Sequence, residues 1–101
     1  MRVRMGWSGE TESNVWQKIS VELEEQDLDR IVMENELPGG IQANLPAIVC
    51  FKLLQNNAEI LLLNKLVGLG YPTGKAAARI AVLTNENNEI ANAVKKKLTP
   101  A

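Results

Sequence analysis

The amino-acid sequence predicts an α+β fold in which an N-terminal β-hairpin is followed by a compact bundle of four or five short helices. Apolar and polar side chains alternate near the N-terminus, which is the period of a half-buried strand. After residue 24 the apolar side chains recur every three or four positions, as on a helix. The chain has 101 residues, of which 46% are hydrophobic and 23% charged. We therefore predict one domain over 1–101, with the hairpin at 1–23 and the helical part at 24–98.

Two alternating segments predict the strands of the hairpin. Val3, Met5 and Trp7 alternate with polar residues or glycine, as do Ile19, Val21 and Leu23 further on. The turn-forming segment 8–14 lies between them, and an antiparallel pairing would place an arginine of the first strand opposite Glu22. The competing interpretation is a helix that carries Val15, Ile19 and Leu23 at four-residue spacing.

The first two helices have recognisable ends. Leu28, Ile31 and Val32 form one apolar stripe, and this helix should end before the Pro38-Gly39-Gly40 segment. Asn44 can cap a second helix whose first turn tolerates Pro46. That helix has more than one apolar face, so we expect it to be central.

Asparagine-rich segments divide the remainder of the predicted bundle. Residues 55–57 should separate the second helix from a third over 58–69, which Gly68 and Gly70 end. Thr73 can cap a fourth helix, and residues 85–88 should separate it from a last helix that ends near Leu98. Segments 53–60 and 82–90 resemble each other, which predicts a pseudo-repeat in which each segment joins two helices. We expect Phe51 and Leu62, in the densest apolar segments, to lie in the core.

The composition argues against catalysis and against a membrane span. The chain has no histidine and a single cysteine, Cys50, whose apolar neighbours indicate a buried thiol. We therefore expect no catalytic residues, no metal site and no cofactor. The segment 68–76 lacks the spacing and the hydroxyl of a phosphate-binding loop. No apolar run is long enough for a membrane span or a secretory signal, so we expect a cytoplasmic protein without a membrane partner.

One segment resembles a known interaction module. Residues 58–98 contain Leu69-Gly70-Tyr71, an alanine-rich helix, an asparagine-rich turn and an Ala93-Val94 pair. This order is similar to that of ubiquitin-associated (UBA) domains, which are three-helix modules with a Met-Gly-Phe/Tyr loop. The resemblance implies a partner-binding surface at the loop and the third helix, formed by Leu69, Gly70, Tyr71, Val94 and Leu98. Death-like adaptor bundles are an alternative architecture of similar length, and they too are interaction modules.

Charge leaves a second functional class open. The net charge is −1, but residues 10–36 hold nine acidic and two basic residues, whereas residues 37–101 hold seven basic and three acidic ones. Residues 18–23 form a predicted strand that a predicted helix follows, and this order loosely resembles that of ribbon-helix-helix repressors. Nucleic-acid binding, of that type or of the helix-turn-helix type, would use the cations Lys75, Arg79, Lys95, Lys96 and Lys97. The acidic pI of 5.4 disfavours this alternative. We therefore expect a non-catalytic interaction or regulatory module that binds another protein or itself.

Overall fold

The computed structural model describes residues 1–10, 14–70 and 73–98, and shows a β-hairpin followed by helices. The strands are β1 (Arg2–Glu10) and β2 (Trp16–Glu24), and the α-helices are α1 (Leu28–Glu34), α2 (Ala47–Gly68) and α3 (Thr73–Leu98). Short 3-10 segments at Glu25–Asp27 and Ile41–Asn44 precede α1 and α2. The α+β class and the N-terminal hairpin are confirmed. The prediction of four or five short helices is wrong, because two long helices replace four of them.

The hairpin follows the alternation of its sequence. The strands are antiparallel, with Arg4 opposite Glu22 and the pairing continuing to Glu10 opposite Trp16. Arg2 Nε lies 2.8 Å from Glu22 Oε1 on the exposed face. Trp16 also lies on that exposed face. The other face packs on α2 and carries the remaining apolar strand residues, which are Val3, Met5, Trp7, Ile19, Val21 and Leu23. The competing helical interpretation of segment 15–23 is therefore wrong, and the strands are longer than the alternating apolar residues alone indicated.

Helix α1 begins and ends where the sequence predicted. Its stripe of Leu28, Ile31 and Val32 is fully buried. At its end, Asn35 donates a side-chain hydrogen bond to the Ile31 carbonyl at 2.8 Å, which satisfies a carbonyl of the last turn. Glu36 then has a positive φ of 62°, and the chain leaves the helix before Pro38.

The cap of helix α2 lies two residues later than the predicted one. Asn44 closes the preceding 3-10 segment, and Pro46 itself takes the cap position with φ −57° and ψ 144°. The predicted asparagine cap is wrong because proline fixes a backbone angle that suits the start of a helix. At the other end the predicted glycine stop is confirmed. Gly68 is the last helical residue, and Gly70 has φ 87°, a conformation that favours glycine.

Neither asparagine-rich segment breaks a helix. Asn56 and Asn87 are buried on facing sides of α2 and α3, and Asn56 Nδ2 donates to Asn87 Oδ1 at 3.0 Å and to Glu86 Oε2 at 3.1 Å. The modest helix penalty of asparagine is therefore outweighed by contacts between the two helices. Segments 53–60 and 82–90 resemble each other but lie side by side on two antiparallel helices. The predicted breaks between helices at residues 55–57 and 85–88 are therefore wrong.

Helix α2 lies at the centre of the molecule. One side packs on the hairpin and α1, and another packs on α3. The core includes side chains from both strands and all three helices, with Leu53 and Leu54 of α2 almost completely buried. Leu62 is buried as predicted, but Phe51 is 43% exposed, so its placement in the core is wrong. The extents of 56 × 25 × 17 Å are those of an elongated molecule, because α2 and α3 continue unbroken.

Candidate protein-binding groove

An apolar groove lies where the start of α2 meets the end of α3. Its volume is about 430 Å³, and its walls come from the 3-10 segment before α2, the first turn of α2 and the last three turns of α3. Most of its lining side chains are apolar: Ile41, Leu45, Pro46, Val49, Ile90, Ala93, Val94 and Leu98. Binding sites for partner segments and small molecules are typically concave and lined in this way.

The local sequence explains why the groove is open. Leu45 and Pro46 have extended backbone angles, so the 3-10 segment does not continue into α2 and the two elements form separate walls of the groove. Helix α3 continues past this point to Leu98, a large apolar side chain that is 45% exposed on the wall of the groove. Val94, one turn earlier, is buried against the core. The groove is thus fixed at its base and open at its outer edge.

The rim of the groove carries basic side chains on α3. Lys97 lines it on α3, and Lys95, Lys96 and Lys97 make the last turn of that helix basic. A partner segment with acidic residues beside its apolar ones would match this rim.

The structure separates the predicted partner-binding residues into two groups. Val94 and Leu98 lie in the groove, whereas Leu69 and Gly70 lie past the end of α2 at the opposite end of the helical pair. The 26 residues of α3 give a helix of about 39 Å between these ends. Tyr71 lies outside the described residues. Segment 85–88 is helical, so the asparagine-rich turn that the UBA resemblance implies is not formed.

The cations of the nucleic-acid alternative are also spread along α3. Lys75 and Lys95 are about 30 Å apart along the helix axis. Arg79 makes a two-pronged ion pair with Glu59, with Nη2 3.2 Å from Oε1, and this carboxylate raises the pKa of the arginine further. Lys95 Nζ lies 3.4 Å from Glu36 Oε2. Two of the five cations thus already have carboxylate partners within the chain.

The groove includes residues that the sequence did not mark as a site. The sequence predicts Pro46 in the first turn of a helix and gives no binding role to Ile41, Leu45, Val49 or Ile90. Their shared location depends on the antiparallel pairing of α2 and α3. The burial pattern of two long helices could have indicated it, but the predicted breaks at the asparagines concealed that pattern.

Other polar groups of the structure offer less to a ligand. Within the described residues, no group of three or more His, Cys, Asp or Glu side chains is placed to hold a metal ion. The hollow beside Met1 is lined by Arg2, Glu24, Glu25 and Gln26, and Arg2 pairs with Glu24 there at 3.2 Å. Cys50 is buried, and its burial, followed by the charge of Glu25, raises the pKa of the thiol. A thiol of raised pKa is a weak nucleophile at neutral pH.

Comparison of the chain with protein-family models, curated protein sequences and solved structures finds no match. The helices among residues 1–10, 14–70 and 73–98 include none with the length and apolar content of a bilayer span.

Proposed function

We propose that the chain is a non-catalytic interaction module that binds a segment of another protein in the groove between α2 and α3. The observation that carries this proposal is the row of apolar side chains, ending at the half-exposed Leu98, that lines an open groove. Such exposed concave apolar surfaces mark partner sites. The basic rim at Lys97 favours a partner segment with acidic residues beside its apolar ones. A protein of this kind would act in the cytoplasm without a cofactor.

The chain offers a matched pair of leucines for testing the groove. Leu98 lines the groove and is 45% exposed, whereas Leu69 is 38% exposed at the opposite end of the helical pair. Neither side chain is buried, so replacing either with serine should leave the fold intact. Wild type, Leu98→Ser and Leu69→Ser are each used as bait in a cross-linking pull-down from the native host, with and without nuclease.

The result expected is specific to the groove. The Leu98→Ser bait should no longer capture the protein that the wild type captures, whereas the Leu69→Ser bait should still capture it. Nuclease treatment should not change the amount of protein captured. Loss with Leu69→Ser alone would move the site to the loop end, as the UBA resemblance implies. Capture that nuclease abolishes, and that weakens steeply between about 50 and 200 mM salt, would instead show nucleic-acid binding through Lys75, Arg79 and Lys95 to Lys97.

A further inference from the structure

Helix α2 has an apolar surface that no element within residues 1–10, 14–70 and 73–98 covers. A helix with apolar residues on all sides is typically buried on all sides. The hairpin, α1 and α3 cover much of α2, but Ile48 is 78% exposed and Phe51, one turn further on, is 43% exposed. Both lie on the first half of the helix. Val82 on α3 is also exposed.

Four charged side chains flank these apolar residues in an alternating pattern. Lys52 Nζ lies 3.6 Å from Glu86 Oε2, and seven residues further along α2 Glu59 pairs with Arg79. The two ion pairs join α2 to α3 about 10 Å apart along the helices, with opposite polarity. Val82 lies between the two α3 charges, three residues after Arg79 and four before Glu86.

These residues lie on one side of the helical pair. Ile48 precedes Lys52 by four residues, so the two are neighbours on the surface of α2. We call this surface the α2–α3 face, and define it by Ile48, Phe51, Lys52, Glu59, Arg79, Val82 and Glu86. The opposite side of α3 lies beside the end of α1, where Lys95 contacts Glu36.

The charge pattern of the α2–α3 face is self-complementary. A twofold axis parallel to the helices places α2 of one copy over α3 of the other. Lys52 then meets Glu86 of the second copy, and Glu59 meets Arg79 of the second copy. Every neighbouring helix in this arrangement is antiparallel, as in up-down four-helix bundles. The same operation covers Ile48 and Val82 with side chains of the second copy.

We propose that the α2–α3 face binds a second copy of this chain, forming a twofold dimer whose interface is a four-helix arrangement. None of the seven residues that define the face lines the groove, so failure of the function proposed above does not imply failure of the dimer. Charge complementarity favours a second copy as the occupant, because the same face presented twice places each of these charges beside its opposite.

The first test measures the mass of the species in solution and the affinity of the dimer. It compares the wild type with two variants in which an apolar side chain of the same size is replaced by serine. Sedimentation velocity across a concentration series should give a species of twice the 11.1 kDa chain mass. Ile48→Ser should weaken the dimer by at least about tenfold, since it removes an apolar side chain from the interface. Leu61→Ser is the matched control, because Leu61 is 39% exposed on α2 but outside the face. A wild type that stays monomeric, or equal effects of the two variants, would refute the proposal.

The second test uses charge reversal to check the axis. Lys52→Glu places a carboxylate against Glu86 of both copies and should weaken the dimer by at least about tenfold. Adding Glu86→Lys restores opposite charges within and between the copies, so the double variant should regain the affinity of the wild type. If Lys52→Glu has no effect, or if the double variant is no better than the single one, the arrangement is wrong. Circular dichroism confirms the fold of each variant, and Leu98→Ser should dimerise normally.

Discussion

The buried asparagine pair between α2 and α3 provides the most direct test of how these helices are held in register. Asn56 is 2% exposed and Asn87 5% exposed, and their side chains meet at 3.0 Å. Asn56→Ala removes the donor and leaves the Asn87 oxygen without this bond in a site that water does not easily reach. An unsatisfied buried polar group costs about 1 to 3 kcal/mol, and the cavity adds to this. Alanine has a higher helix propensity than asparagine, which offsets this loss by about 0.5 kcal/mol.

We therefore expect Asn56→Ala to lower the free energy of unfolding by about 2 kcal/mol. The measurement is urea unfolding monitored by circular dichroism. The two proteins are compared by the urea concentration at half-unfolding, with the dependence of the unfolding free energy on urea concentration held equal. Asn57→Ala is the control one residue away. Asn57 Nδ2 donates to the Leu53 carbonyl of its own helix at 2.8 Å, and Asn57 is partly exposed. Because alanine improves helix propensity there, Asn57→Ala should change stability by less than about 0.5 kcal/mol.

Equal losses in the two variants would show that the asparagines act through local helix preference and not through the pair. A neutral Asn56→Ala would refute the reasoning entirely. The double substitution Asn56→Leu with Asn87→Leu separates stability from specificity, since a fully apolar seam can be as stable as the native one while losing its unique register.

Two further predictions concern the core and the thiol. Leu62→Ala should lower the free energy of unfolding by about 2 to 5 kcal/mol in a denaturant melt, because it leaves a cavity in the core. Phe51→Ala changes an exposed site and should cost less than about 1.5 kcal/mol, measured at protein concentrations well below the dimer dissociation constant. A larger loss for Phe51 would place it in the monomer core. Cys50 has a raised folded-state pKa, so the unfolded chain ionises first. Its contribution to stability is therefore complete below about pH 8.5 and falls as the pH rises above it. Cys50→Ala should flatten that fall above about pH 8.5 in melts of wild type and variant, and an unchanged slope would refute the assignment.

The sequence predicted the hairpin well because alternation alone determines which face of a strand is buried. Val3, Val21 and Leu23 needed only a surface to pack on, and any central helix would supply it. The stripe of α1 was equally local. These features depend on a few neighbouring residues, and a single sequence contains that information.

The helix count was wrong because the meaning of the asparagines is not local. Asn56 and Asn87 look like helix breakers when each is considered alone, and become partners only once α2 and α3 are placed side by side. The same limit applies to the candidate site. The sequence predicted that Val94 and Leu98 share one binding surface with Leu69 and Gly70. The distance between these two pairs depends on whether α3 is one helix or two. Phe51 was misplaced because an apolar run does not indicate which of its side chains another element will cover.

The order of the elements along the chain has a consequence for how the molecule folds. β1 contacts β2, and α2 contacts α3, so each of these partnerships joins neighbours in sequence across four or five connecting residues. Closing loops of that length costs little conformational entropy. The packing of the sheet on α2 is the step that brings distant residues together. Folding should therefore be fast overall, and its rate should depend on how readily the sheet finds the central helix.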